Sequence, residues 1–219
     1  AAVVWRQPPG PVARPLLGRH TRFDETHIID LARGVADARA RWSSAARRNV
    51  RRAERAGVEV RRGTGDGDWR EYLALYGDTL QRWGSRASSS YGSALFEALR
   101  KHGRTDVDLW LARLEGRPAA GALLVSHGRH VVYWHGASDP LVCPGSSNLL
   151  HWRIMDALAA RGVTEYDLNP SGGHEGVGRF KRGLGSEPRS APLVQLRPPW
   201  RALLGAARAG LTRTRGRAT

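Results

Sequence analysis

Residues 106–139, DVDLWLARLEGRPAAGALLVSHGRHVVYWHGASD, hold three apolar runs parted by EGRP and HGR. Links that short, built on Gly and Pro, reverse a chain tightly, so the stretch reads as an antiparallel meander of three strands. Whatever the chain folds into has to be assembled around that sheet.

The flanks supply helices. ETHIIDL (25–31) reads as a short strand, and one helix is expected through DARARWSSAARRNVRRAERAG, where Trp42, Ala46, Val50 and Ala53 recur at helical spacing and Gly57 ends the run. VEVRRG (58–63) alternates like a strand. Asp68 with Glu71 three residues on has a capping-box pattern, opening a helix that carries Trp69, Leu73, Tyr76, Leu80 and Trp83. A further helix is expected at about 91–102. CPGSSNLLHWRIMDALAARG is a turn entering a helix with Leu149, Leu150, Ile154, Met155 and Leu158 inward and Gly162 as stop. VTEYDLN (163–169) is a strand, PSGGHEG a loop, and APLVQL lies near another strand. No internal repeat is visible.

Composition narrows the partners. The 219 residues carry a formal charge of +15, with only two lysines, Lys101 and Lys181, among 35 basic residues. Such a charge suits a polyanion such as RNA, anionic lipid or a phosphorylated small molecule, unless Arg-rich coding bias explains it. Nine arginines and two acids fall between Arg39 and Arg62. Arg47, Arg48, Arg51, Arg52 and Arg55 either grip phosphates, with Asn49 among them, or form a solvated charged face. The tail, 197–219, carries six arginines, no acid, and an apolar face of Trp200, Leu203, Leu204, Ala207 and Leu211. It reads as a basic amphipathic helix lying on an anionic membrane, or as a terminal helix docked on the domain. No apolar run nears the roughly 18 residues of a membrane span, residues 1–15 lack a signal-peptide pattern, and the single Cys143 rules out an internal disulfide. A cytoplasmic protein is expected. One cysteine and eight scattered histidines give no metal-ligand spacing, and nucleophile-elbow, Walker and dinucleotide motifs are missing.

Several residues suit acid–base or charge-stabilising chemistry. Lys181, in GRFKRGLGSEP (178–188), is a compact cation whose pKa moves on burial, which Arg cannot match; the plain alternative is a surface cation at a strand end. Asp167 ends a strand where α/β proteins often place site residues, or forms a turn with Asn169–Pro170. His174 beside Glu175 is a conceivable acid–base pair. Alternation sends Tyr133 and His135 to one face, lining a pocket or packing the core.

The ordered set SSAARRNVRRAERAGVEV, YLALYGDTLQRWG, AAGALLV, VVYWHGASD, NLLHWRIMDALAARGVTEYDLN and GRFKRGLGSEP resembles the acyltransferase domain shared by FemAB-type aminoacyltransferases and BioF2-like proteins of the GNAT superfamily, over about residues 25–190. The resemblance implies an α+β, GNAT-like fold with a mixed, mainly antiparallel sheet, flanked by helices and splayed around the site. It divides the chain into an irregular segment 1–32, the remnant of a truncated first GNAT-like half, a GNAT-like domain 33–196, and the basic tail. It implies an acyl- or aminoacyltransferase that forms an amide on an amine acceptor, such as a cell-envelope precursor, with acyl-CoA or aminoacyl-tRNA as donor substrate and no tightly bound cofactor. By resemblance Lys181 stands at the reacting centre, flanked by Phe180 and Arg182. The PGSSN turn, with Ser146, Ser147 and Asn148, sits where GNAT enzymes bind pyrophosphate; a serine there alternatively caps the helix. The usual Arg/Gln-x-x-Gly-x-Gly/Ala pattern is missing, a departure compatible with aminoacyl-tRNA. Arg48, Asn49, Arg52, Tyr133 and His135 complete the expected donor or substrate contacts. The rival reading is a non-catalytic basic module for RNA or anionic membrane.

Overall fold

The computed structural model describes residues 3–6, 21–87 and 90–196. Its elements run β1 (Val3–Arg6), β2 (Thr21–Asp30), α1 (Val35–Ala40), α2 (Ser44–Arg55), β3 (Glu59–Gly63), α3 (Asp66–Trp83), α4 (Ser93–His102), β4 (Val107–Leu114), β5 (Arg117–His127), β6 (His130–Ser138), α5 (Ser146–Ala160), β7 (Glu165–Asp167), α6 (Glu175–Gly183) and β8 (Glu187–Leu196). Residues 26–188 make up one compact unit. In the second unit β1 pairs antiparallel with β8, Val3 opposite Leu196.

Within the larger unit the strand order is β2-β7-β6-β5-β4-β3. The meander β4-β5-β6 is antiparallel as expected, with Leu109 opposite Leu123 and Leu123 opposite His135. The exception is β6 with β7, which run parallel. The fold is therefore α+β, a mixed and mainly antiparallel sheet with helices packed on it. Alternation splits its core in two: Ala112, Ala122 and Leu124 pack with Trp42, Val50, Leu150, Ile154 and Leu158 of α1–α2 and α5, while Leu109, Leu111, Leu123 and Ala137 pack with Tyr72, Leu75, Tyr76 and Phe96 of α3 and α4. Leu111, Leu123 and Leu124 are wholly buried, each stabilising the fold by about 1.5–3 kcal/mol over an exposed side chain.

Four expectations are corrected. The helix expected through 37–57 breaks, because Ser43 takes an extended backbone, caps α2 through its hydroxyl on the Ala46 N–H at 3.1 Å, and donates its own N–H to Gly183 O at 2.9 Å. Helix α3 starts two residues early, at Asp66, and its buried face is Asp68, Tyr72, Leu75 and Tyr76. Asp68 is its third residue, not its cap: the carboxylate accepts from the Thr64 and Gly65 N–H groups (2.8 and 3.2 Å) and from Arg61 and Arg113. Burial pushes this carboxyl up, but those bonds outweigh it and hold it well below the usual carboxylate range. Residues 175–183, read as loop and strand end, form α6. Finally, the boundary drawn after residue 32 moves: the strand expected at 25–31 is formed, Ile28–Asp30 ladder onto β7, and the compact unit begins at Thr26. The basic tail, 197–219, lies outside the described residues.

Gly121 on β5 is required for space. A Cβ there would sit 2.6 and 2.9 Å from the ring of buried Tyr72, so Gly121→Ala is expected to destabilise the protein by about 1–3 kcal/mol, read as a lower urea midpoint with unchanged far-ultraviolet circular dichroism.

Candidate active site

Strand β7 pairs with β6 only from His130 opposite Glu165 to Val132 opposite Asp167, after which β6 runs on to Ser138 with β5 as its ladder partner. Beyond the last pair the chain turns at Asn169, whose side-chain amide donates to Trp134 O at 3.2 Å, and enters α6, which stands with α3, α5 and β6 around one hollow. The result is a cavity of about 760 Å³ whose wall includes Trp83, Tyr133, Gly136, Ser147, His151 and Lys181. Its rim is stitched at one end, where Ser138 N–H donates to the Thr79 hydroxyl (3.2 Å) and Arg82 donates to Ser138 O.

The wall of β6 owes its shape to a bulge. Leu123 faces His135 but Leu124 faces Tyr133, so Trp134 is an extra residue in the ladder. This overturns the expectation that Tyr133 and His135 share a face. Tyr133 turns to the cavity, its ring edge-on to His151 at 4.7 Å. Gly136 yields to it, since a Cβ at 136 would lie 1.6 Å from the Tyr133 hydroxyl oxygen. Burial pushes the Tyr133 phenol up to about 12. His135 enters the aromatic core instead, bonded through Nδ1 to the Tyr72 hydroxyl and stacked edge-on with Tyr76 at 4.5 Å. Burial lowers it to about 4.

Lys181 is 4% exposed on the inner face of α6. Its Nζ donates to Asn169 O at 2.8 Å and to Pro170 O at 2.9 Å, across a turn in which Asn169 takes φ 68°. The ammonium thus clamps the chain leaving β7 to the helix below the cavity. Arg in its place would have to bury a broader, planar head. The glycines after it serve close approach: Gly185, at φ 73°, lies so near Arg41 that a Cβ would meet the Arg41 backbone at 3.0 Å.

Six chemistry-bearing residues singled out in the sequence line this cavity together: Tyr133, Ser147, His174, Glu175, Phe180 and Lys181. Others stand behind it or apart. Buried Ser146 does not cap α5, whose cap is Gly145 at φ 97°; its hydroxyl donates to Cys143 O at 2.9 Å. Asn49 on α2 donates to the Asn148 side chain at 3.0 Å, tying α2 to the start of α5. Arg48 and Arg52 project from α2 into solvent, and Arg182 is exposed on α6. Asp167 is 3% exposed and does not line the cavity: it accepts from the Thr26 hydroxyl and the Asn169 N–H (2.7 Å), with His130 Nε2 3.6 Å away. Its place is the turn and the cation, not the cavity surface. His174 caps α6 by position and stacks on Trp83 at 5.2 Å, while Glu175 pairs with Arg179 at 2.8 Å. The two neighbours are engaged separately. Among the described residues no group of three or more His, Cys, Asp or Glu could hold a metal.

Sequence reading passed over His151, 1% exposed in the middle of α5. The signal was a histidine set among Leu149, Leu150 and Ile154. Burial, reinforced by the Lys181 charge, lowers it to about 3. For both His135 and His151 the folded value lies below the ordinary 6.5, so between the two values the unfolded chain binds more protons. Stability should therefore fall as pH drops below about 6.5, by up to about 1.4 kcal/mol per unit for each histidine. Raised His130 works in the opposite sense. Urea midpoints at pH 7.5 and 5.5 check this, and His135→Gln should flatten the dependence.

The geometry can be set beside known proteins. No curated protein matches the chain. The structure is similar to FemX (TM-score 0.59, 16% identity, 77% of this chain and 61% of that one), and to L-PGS from Bacillus licheniformis (0.58, 15%, 81% and 62%). It is also similar to a conserved protein of unknown function from Bacteroides thetaiotaomicron (0.60, 14%, 83% and 64%). At these identities the likeness is one of fold, and the chain spans less than two thirds of each structure. The family model described as acetyltransferase (GNAT) domain matches residues 40–182, from the end of α1 to the arginine beside Lys181. That match takes in well over half of the chain and every wall of the cavity, and the chain belongs to the acetyltransferase (GNAT) domain family.

Proposed function

We propose that the protein transfers an acyl or aminoacyl group to an amine, and that the transfer takes place in the cavity walled by β6, α3, α5 and α6. The observation that carries this is Lys181, a cation buried in the cavity wall of a GNAT domain. Attack of a neutral amine on a donor carbonyl places negative charge on the carbonyl oxygen, and a fixed cation in a site shielded from water stabilises that charge strongly. The carbonyl re-forms as the thiol or alcohol of the donor leaves, and the amine proton passes to the leaving group or to water. No covalent intermediate with the protein is needed.

Acyl-CoA and aminoacyl-tRNA are the two donors that fit, and a cell-envelope precursor is the acceptor in view. The N-terminus of α5, opened by Gly145 and presenting Ser147 to the cavity, suits a phosphate of either donor. Among the described residues no helix is long and apolar enough to cross a membrane. Support for the reading comes from the family match and from likeness of fold to FemX and L-PGS.

The test offers the full chain acyl-CoA and aminoacyl-tRNA donors with an amine panel and compares it with Lys181→Met and Lys181→Arg. Both variants should lose at least about 100-fold in turnover, near 2.7 kcal/mol of transition-state stabilisation. Met leaves two carbonyls unpaired, so a drop in stability of about 1–3 kcal/mol is expected as well, and circular dichroism must show the fold retained. Turnover that survives both changes would remove Lys181 from the chemistry.

A further inference from the structure

His151 has two ring nitrogens, and the fold uses one. Nδ1 lies 2.8 Å from the Tyr166 hydroxyl. Nε2 has no hydrogen-bond partner among the described residues, yet it is not among the buried atoms shut off without one. Tyr166 does not line the cavity and His151 does, so the ring stands between them with Nε2 on the cavity side.

The phenol decides which nitrogen holds the proton. Tyr166 is wholly buried, and its hydroxyl has His151 Nδ1 as its hydrogen-bond partner. A buried O–H needs an acceptor, and Nδ1 serves only if it carries no proton. In the opposite tautomer Nδ1–H would donate to the phenol oxygen and leave the buried phenol proton without an acceptor among the described residues. The neutral ring therefore carries its hydrogen on Nε2. The titratable and charged groups around it are Tyr133 from β6, Tyr166 from β7 and Lys181 from α6. The one carboxylate on the same cavity wall, Glu175, is paired with Arg179 at 2.8 Å, and burial with the Lys181 charge keeps the ring neutral.

We propose that the His151 Nε2–H is a hydrogen-bond donor to the acyl carbonyl oxygen of the substrate, acting beside the Lys181 ammonium. The proposal rests on the acyl-transfer reading above. As the amine nitrogen bonds to the carbonyl carbon, the C=O π pair moves onto oxygen, and the Nε2–H bond to that oxygen shortens. When the leaving group departs, the pair returns and the imidazole is unchanged. His151 is thus a donor and not the base, because a base would need the Nε2 lone pair that the tautomer lacks. Tyr166 is a positioning residue, acting through the ring by fixing its tautomer.

Two-bond proton–nitrogen spectra of the full chain labelled with ¹⁵N-histidine test the assignment without turnover. A signal lost in His151→Gln should show the neutral Nε2–H form from pH 8 to 5, and Tyr166→Phe should turn it into a mixture of tautomers. Kinetics test the role. His151→Phe should lower kcat about 100-fold or more with KM changed less than about threefold, the size of effect of losing one oxyanion donor. His151→Gln, whose amide N–H can still donate, should recover to within about tenfold of wild type. An Nδ1–H form, protonation between pH 5 and 8, or full kcat in His151→Phe overturns the proposal while the acyl-transfer reading stands. Failure of every donor to turn over overturns both.

Discussion

One ammonium group holds the two halves of the site at their working distance. The chain leaves β7 at Asp167, and nothing in its ladder obliges it to pass above α6; the pair of hydrogen bonds from Lys181 to Asn169 O and Pro170 O does. Asp167 fixes the same turn from the other side through the Asn169 N–H. Together they fix the turn from which the chain enters α6, and with it the α6 wall of the cavity. The helix that brings the lysine is itself poor in intrinsic stability, with Gly176, Gly178 and Gly183 among nine residues. Its geometry is imposed by contacts, including the bond from Ser43 N–H to Gly183 O.

That dependence explains which parts of the fold were legible in the sequence. The meander, α4 and α5 were readable because their apolar periods are long and their stops are Gly. Helix α6 was not, because three glycines hide a helix whose reason to exist is tertiary. The break at Ser43 was missed because the apolar spacing of Trp42, Ala46, Val50 and Ala53 runs through it undisturbed, and only the hydroxyl on the Ala46 N–H reveals the new start. In α3 the helix was right and its face incomplete: Tyr76 is buried and Trp69, Leu73 and Leu80 pack at the edge of the core as expected, but the centre of the buried stripe is Tyr72 and Leu75.

The site divides in the same way. Lys181, Phe180, Ser147, Tyr133 and His174 converge on the cavity although they come from three separate stretches of chain. His135 was placed on the wrong side because a single extra residue, Trp134, shifts the alternation, and no local pattern announces a bulge. His151 escaped because its partner, Tyr166, lies fifteen residues away on a strand, a pairing that only the packed structure makes. Of the arginines of α2, Arg48, Arg51, Arg52 and Arg55 face solvent and Arg47 donates to Trp42 O, so the densest charge in the sequence lies off the cavity that Lys181 lines.

The bulge at Trp134 also separates duties along one strand. Tyr133 before it and Gly136 and Ser138 after it line the cavity, while His135 locks into the ring cluster of Tyr72, Tyr76 and Phe96. Selection can therefore remodel the Tyr133 side for a new substrate without disturbing the aromatic packing behind it. The insertion of one residue lets Tyr133 and His135, two apart in sequence, serve opposite faces of one strand.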